Sequence, residues 1–128
     1  MASKARVIRP DDLAVYLRNP QIRSRIMVDQ QVGSKNVLML YNEMQCPYEG
    51  VFHTRAGEEI LFMISGESVC EMEGGERLTL TEHSVLFVPP GVKHRHFFPN
   101  PGMVRTLGIL APPGDMAKEA KSYPVEGK

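Results

Sequence analysis

The spacing of glycine and proline turns between short strand-like runs constrains the fold of this chain more than any other feature. Gly74 and Gly75 separate two such runs, which is typical of a β-hairpin because glycine adopts positive φ freely. The two runs are Ser68–Met72 and Arg77–Leu80. A later run stops at Pro89, since proline cannot continue a central strand. The pattern therefore predicts many short strands joined by tight turns.

Eight runs of strand type follow one short predicted helix. The helix is expected over residues 11–18, where Leu13, Tyr16 and Leu17 fall at helical spacing behind two acidic residues. The predicted strands cover residues 25–29, 36–44, 59–64, 68–72, 77–80, 84–88, 94–98 and 103–110. Such a series is typical of an all-β sandwich, jelly roll or small barrel. Residues 115–123 are expected to form a loose or frayed helix.

Length and composition indicate one ordinary globular domain. The 128 residues divide into an N-terminal helix and arm over 1–30, a barrel over 31–114 and a tail over 115–128. The formal net charge of zero argues against a nucleic-acid partner. No apolar run is long enough to span a membrane, and the first ten residues lack the apolar core of a signal peptide, so a cytoplasmic location is expected. Cys46 and Cys70 are expected to be buried thiols.

Side chains of metal-ligand type occur at two of the predicted strand ends. His53 precedes the strand that contains Glu59, and His94 follows the turn after Pro89. Residues two apart on a strand share a face, so His94 and His96 would point the same way. If those faces line a barrel interior, two imidazoles and a carboxylate can converge on one point. That set is sufficient for a divalent first-row metal with open coordination positions.

These residues also form two motifs that resemble those of the cupin family. The first cupin motif has two histidines separated by one residue, then a glutamate and a glycine, and this chain has His53, Arg55, Glu59 and Gly66 at those positions. The second motif has a proline, a glycine and a histidine, and this chain matches it through Pro89-Pro90-Gly91 and His94.

The resemblance implies an all-β cupin barrel, that is, a double-stranded β-helix of jelly-roll type with a short N-terminal helix. It further implies that His53, Glu59 and His94 hold a divalent metal ion, which could be Fe, Mn, Ni or Zn. A homodimer is expected as well, because small cupins resemble dimers in which an N-terminal segment, here residues 22–29, crosses to the partner's sheet.

Several motif positions depart from the family pattern. Arg55 replaces the second histidine of the first motif, so one of the four usual ligands is missing. His83 stands where the second motif has glycine, Phe98 stands where it has asparagine, and Pro47 replaces the leading glycine of the first motif. The turn positions are structural and tolerate change, whereas position 55 bears directly on metal binding.

Three interpretations of Arg55 remain open. Arg55 could face the open side of a metal held by His53, Glu59 and His94, where its planar fork of donors suits a substrate carboxylate. It could instead form an ion pair with Glu59 or Glu58, which would leave no carboxylate for a metal. Alternatively it reaches solvent at a strand end and takes no part in the site.

Two classes of function follow from these interpretations. The first is a metal-dependent enzyme that acts on a small oxygen-rich substrate carrying a carboxylate, such as a dioxygenase, isomerase, decarboxylase or lyase. In that enzyme Arg55 would anchor the substrate and His96 would be a general base. The second is a non-catalytic or metal-free cupin that binds a small molecule. A purely structural barrel is the weakest hypothesis, because buried polar groups without partners are costly.

Overall fold

Antiparallel β-sheet makes up most of the regular structure in the computed structural model, which describes residues 4–128. The strands are β1 (Tyr16–Asn19), β2 (Ile22–Val28), β3 (Leu38–Glu49), β4 (Glu58–Ser65), β5 (Ser68–Met72), β6 (Arg77–Leu80), β7 (Val85–Val88) and β8 (His94–Ala111). Two 3-10 turns at Pro10–Asp12 and Gln30–Val32 and one short helix, α1 (Met116–Glu119), complete the set. Within residues 4–128, no helix has the length and apolar character needed to cross a membrane.

The long strand β8 organises the sheet. Its C-terminal part pairs with β3 on one side and with β4 on the other, and its N-terminal part pairs with β5. The strand order is β1-β2-β3-β8-β4-β7, and β6 joins through β5. The sheet therefore folds around a common interior. The all-β class predicted from the turn spacing is confirmed, and so is the barrel that the cupin resemblance implies.

The helix predicted over residues 11–18 is wrong. Only a single 3-10 turn forms at Pro10–Asp12, and the chain is extended from Tyr16 onward. Tyr16 lies opposite Ser24 of β2, and the Leu17 N–H donates to the Pro124 carbonyl at 2.8 Å. Long-range pairing of this kind satisfies the backbone of the segment and outweighs a local preference for helical spacing.

The remaining predicted strands differ from the observed ones mainly at their ends. The two strands predicted over residues 94–98 and 103–110 are one continuous strand, β8, which passes through Pro99 and Pro101. Pairing with β3 continues on both sides of a register shift, so these prolines do not divide the strand. The strand β2, expected to cross to a partner, pairs along its length with β3 of the same chain.

Alternating side chains fill the barrel with a core in two parts. Along β3, for example, Leu38, Leu40, Asn42 and Met44 are buried, while the residues that alternate with them face outward. The larger cluster surrounds Met63 and Phe98 in the middle of the barrel. The smaller cluster joins β3 and β8 to the C-terminal helix, through Leu38, Leu40, Leu110, Met116 and Ala120. The segment around α1 therefore closes one end of the barrel.

The two cysteines are free and buried, as predicted. Cys46 lies on β3 and Cys70 on β5, and both belong to the larger core cluster. Burial raises the pKa of both thiols, and for Cys70, where the charges of Glu59 and Glu71 add to the effect, the pKa reaches about 11. Both cysteines therefore contribute to the core as protonated, apolar side chains.

Candidate metal centre

His53 and His94 lie directly opposite each other across an isolated antiparallel bridge. The His53 N–H donates to the His94 carbonyl at 2.9 Å, and the His94 N–H donates back to the His53 carbonyl at 3.0 Å. Residues paired in this way project to the same side, and the centroids of their rings are 4.4 Å apart. The sequence predicted this meeting because each histidine is placed by its own motif.

Glu59 brings a buried carboxylate to the same point. It occupies an inward position of β4 that alternates with Leu61 and Met63, and it is 7% exposed. His94 Nε2 lies 3.3 Å from Glu59 Oε1, and His53 Nε2 lies 3.8 Å from the same oxygen. The structure therefore brings together all three residues that the sequence predicted as ligands.

His96 completes a group of four. It follows His94 by two residues on β8, so both imidazoles point into the barrel, and His96 Nε2 lies 2.7 Å from Glu59 Oε2. One donor atom from each of His53, Glu59, His94 and His96 lies within 4.8 Å of every other. The sequence named His96 only as a possible helper or base, but its side chain is in the same cluster as the predicted ligands.

Backbone carbonyls orient two of the three imidazoles. Nδ1 of His53 is 2.9 Å from the Val51 carbonyl, and Nδ1 of His94 is 2.9 Å from the Val92 carbonyl. A carbonyl oxygen only accepts, so in both rings Nδ1 carries a hydrogen and Nε2 faces the centre of the cluster. There Nε2 donates to Glu59 when it carries a proton, and offers a lone pair to a metal when it does not. His96 is different, because its Nδ1 is buried with no hydrogen-bond partner in the described part of the chain.

The cluster favours a carboxylate anion at its centre. Burial alone would raise the pKa of Glu59, but the hydrogen bonds from the three imidazoles outweigh it and hold this pKa far below its usual range. Burial alone would lower the pKa of His94, whereas its contacts with Glu59 and Val92 raise it, and the positive charge of Arg55 opposes that rise. The four residues thus form a negatively charged site lined with nitrogen donors.

These residues fit a divalent transition-metal ion. Three imidazoles and one carboxylate are the ligands that Fe, Mn, Ni and Zn accept, and Nε2 of both His53 and His94 faces the Glu59 carboxylate. The ligand set does not select among these metals. His53, Glu59 and His96 also line a cavity, so a metal here would have an open side.

Arg55 lies beside the four-residue group and is not part of it. The side chain is half-buried and lines the same cavity as His53 and Glu59. Its backbone carbonyl accepts from the Gly91 N–H at 2.9 Å, which ties the first motif to the turn before His94. Within residues 4–128, Arg55 forms no ion pair, so the predicted alternative of a pair with Glu59 or Glu58 is absent.

The cavity has a volume of about 370 Å³ and extends from the cluster into the barrel. Its wall is mainly apolar, with polar groups from Arg18, Asn42, Tyr48 and Thr106. Asn42 could have been found as the polar residue among apolar ones at the inward positions of β3. Arg18 was not considered, because it falls in the segment that was predicted to be a helix.

Three other histidine and aromatic side chains lie outside the cavity, and a fourth lines it. His83 stacks on Phe62 with a centroid separation of 6.2 Å and does not line the cavity. Tyr41 faces outward, where the Arg25 guanidinium lies over its ring. Phe87 is exposed, whereas Phe98 is buried in the core and lines the cavity.

Comparisons with known proteins agree with this architecture. The family described as "Cupin domain" matches residues 43–110, more than half of the chain and all of the cluster. No curated protein matches the chain.

Three solved structures illustrate the likeness in fold. KdgF from Halomonas sp. superposes with a TM-score of 0.74 at 16% identity, covering 87% of this chain and 98% of that one. The polyketide cyclase RemF from Streptomyces resistomycificus superposes with a TM-score of 0.73 at 17% identity, covering 84% of this chain and 80% of that one. Hydroxypropylphosphonic acid epoxidase from S. wedmorenis superposes with a TM-score of 0.67 at 18% identity, covering 81% of this chain and 58% of that one. At such identities the likeness extends to the fold alone.

Proposed function

The chain belongs to the cupin family, and we propose that it is a metal-dependent enzyme acting on a small carboxylate-bearing organic molecule. The observation that carries this proposal is the convergence of four ligand side chains at the wall of an apolar cavity. Two structures with the same fold are described as a cyclase and an epoxidase, which makes catalysis on this scaffold plausible by analogy. Dioxygenase, isomerase, decarboxylase and lyase reactions all remain within the proposal.

His53, Glu59 and His94 would hold the metal, and His96 is close enough to join them. When bound, a divalent ion supplies Lewis acidity to a chelating oxygen of the substrate. The carbonyls of Val51 and Val92 keep the rings of His53 and His94 in one orientation, so little rearrangement is needed on binding.

Arg55 would position the substrate. Its guanidinium offers a planar pair of donors that matches a carboxylate. Because it lines the cavity beside the cluster, it would hold a carboxylate on the open side of the site. The apolar wall around it excludes water and strengthens the interaction between the two charges.

His96 would handle a proton. Its Nε2 is held against Glu59, while its Nδ1 has no partner among residues 4–128. His53 and His94 both commit Nδ1 to a backbone carbonyl, so they cannot exchange that proton without losing their orientation. His96 is therefore the imidazole best suited to act as a general base.

Metal analysis of the purified protein tests this proposal. We expect near-stoichiometric metal in the wild type and a strong loss in the variants His53→Ala, Glu59→Gln and His94→Ala. His83→Ala is the matched control, because it removes a histidine that lies outside the cavity. Wild-type protein that takes up none of Fe, Mn, Ni or Zn on titration would refute metal dependence.

A metal-free cupin that binds a small molecule is the second candidate. The short contact between His96 and Glu59 favours it, because hydrogen bonds from imidazoles can satisfy the buried carboxylate without an ion. If this candidate is right, the variants His53→Ala, Glu59→Gln and His94→Ala bind the same small molecules as metal-free wild-type protein does. The same titration separates the two candidates.

A further inference from the structure

We propose that Arg18 forms a second anion site in the cavity and that the substrate is a dicarboxylate, bound at one end by Arg55 and at the other by Arg18. This inference rests on the proposed role of Arg55 as a carboxylate anchor. Arg18 belongs to β1, at the far edge of the sheet from β4, and both guanidinium groups line the one cavity. Neither the family motifs nor the metal cluster includes Arg18.

The two arginines share an unusual lack of partners. Both are half-buried, both have a buried Nε without a hydrogen bond, and within residues 4–128 neither forms an ion pair. Arg25 also has an unpartnered Nε, but its terminal nitrogen pairs with Glu43 at 2.9 Å. The Nε of Arg95 is unpartnered as well, yet its terminal nitrogens bind Glu49 and Glu71. Half-buried guanidinium groups with a buried, unpartnered Nε and no anion point to a ligand that supplies one.

The carboxylates of the protein itself do not fill this role. Glu59 is engaged by three imidazoles, and the only other acidic residue that lines the cavity in the described chain is Glu119, which is exposed on α1. Glu119 makes no ion pair with Arg18 in the structure. The Arg18 guanidinium instead lies over the Tyr123 ring, 5.8 Å from its centroid. Stacking occupies the face of a guanidinium and leaves the N–H groups at its edge available for an anion.

Cavity size and polarity agree with a short dicarboxylate. A volume of about 370 Å³ lies near the lower end of the range for small-molecule sites. The wall of the same cavity includes the Asn42 amide and the Thr106 hydroxyl, both buried. The Ser24 hydroxyl donates to Asn42 Oδ1 at 2.6 Å, and Asn42 Nδ2 makes a long contact of 3.5 Å with Thr106 Oγ1. Because that contact is at the limit of a hydrogen bond, Asn42 and Thr106 are available to a polar group of the substrate.

Calorimetric titration of the full-length protein as purified tests the inference. The probes are succinate, glutarate and adipate, each paired with the monocarboxylate of equal carbon number at matched ionic strength. We expect the best dicarboxylate to bind at least about tenfold more tightly than its monocarboxylate partner, because a second charge-assisted pair forms. Arg18→Gln should lose this preference and keep the monocarboxylate affinity, and Arg18→Lys should restore part of it. Arg9→Gln, which removes an exposed cation of the N-terminal segment, should behave like the wild type.

Each alternative outcome has a definite meaning. If wild type and Arg18→Gln prefer the dicarboxylate over the monocarboxylate equally, the second anion site is overturned, while the proposed metal centre and the Arg55 anchor are unaffected. A preference for the dicarboxylate that appears only in Glu119→Gln would also overturn the second anion site, because Arg18 would then pair with Glu119 in the wild type. Unchanged binding of both acids in Arg55→Gln would refute the anchor itself and, with it, the dicarboxylate. Metal content measured on the same samples tests the metal centre separately.

Discussion

His96 Nε2 lies 2.7 Å from Glu59 Oε2, which is the shortest contact in the four-residue cluster. The two residues come from different strands, β8 and β4, that are not aligned at this point by direct pairing. The barrel must therefore close before this contact can form. Its shortness gives His96 a stronger hold on Glu59 than either of the histidines that the family motifs supply.

We expect His96→Ala to weaken metal binding by about tenfold or more, because it removes the group that orients Glu59. Competition against a chromophoric chelator measures this affinity. His83→Ala again provides the control. Metal affinity that stays unchanged in His96→Ala while turnover falls would refute this orienting role and leave His96 as a base alone.

A second prediction concerns the ionic cluster around Glu43 on the outer face of the sheet. Arg23 and Arg25 of β2 and Arg105 of β8 all reach the Glu43 carboxylate, at 2.8, 2.9 and 3.2 Å. Burial would raise the pKa of Glu43, but the hydrogen bonds and charges of these arginines outweigh burial and lower it. Because the pKa of Glu43 is lower in the folded protein than in the unfolded chain, its ionised carboxylate stabilises the fold fully at pH values above the unfolded pKa. This stabilisation is lost as the pH falls through the folded-state pKa.

Glu43→Gln should therefore lower the free energy of unfolding at about pH 7 by about 1–2 kcal/mol, since the group is only partly shielded from solvent. The difference between wild type and variant should shrink as the pH is lowered through about 4. Urea titrations at several pH values measure both effects. Glu73→Gln removes an exposed partner of Lys93 and should change stability little. A difference that persists at the lowest pH would show that the loss is not electrostatic.

A third prediction concerns Gly57, between Arg55 and Glu59. A Cβ at this position would lie 2.3 Å from the Pro112 carbonyl oxygen and 2.7 Å from the Pro112 nitrogen. Both are backbone atoms, so Gly57→Ala must displace either the first motif or the end of β8. We expect a loss of about 1–3 kcal/mol in the free energy of unfolding, together with weaker metal binding. Gly108→Ala, whose Cβ would meet only ordinary contacts, is the control. Equal stability of the two variants would contradict this account.

The fourth prediction is that the protein forms a homodimer through the outer face of β4 and β7. Ile60 lies opposite Phe87 and Phe62 lies opposite Val85, which gives a contiguous apolar patch. Phe87 is 51% exposed and Val85 is 58% exposed, and such a patch becomes self-complementary across a twofold axis. Light scattering should give a dimer for the wild type and a monomer for Phe87→Glu. A wild-type monomer at high concentration would refute the prediction.

Much of the fold follows from local sequence signals. Glycine and proline mark the turns, so the hairpin of β5 and β6 was predicted with its observed limits. The two motifs identified His53 and His94, because one histidine precedes the strand that contains Glu59 and the other follows the turn after Pro89. Residues 11–18 were misassigned because the pairing partners of β1, Ser24 and Pro124, lie elsewhere in the chain. A local sequence pattern does not indicate which distant residue a strand will pair with.

The same limit explains what was missed in the site. His96 was seen as a neighbour of His94, but its contact with Glu59 depends on how β8 and β4 curve toward each other. Arg18 enters the cavity only because β1 is a strand, so an error in secondary structure concealed a candidate binding residue. Asn42 shows the opposite case, since strand alternation alone marks it as a buried polar side chain.

The position of β8 determines when the metal centre can be assembled. His53 and Glu59 precede the turn at Gly91, whereas His94 and His96 begin the strand that pairs with β3, β4 and β5. During synthesis, a chain that ends before β8 holds one imidazole and one carboxylate of the cluster, which is too few to retain an ion tightly. Under the proposed function, metal would therefore be taken up only once the last long strand is in place, and a truncated or half-folded product would not retain it.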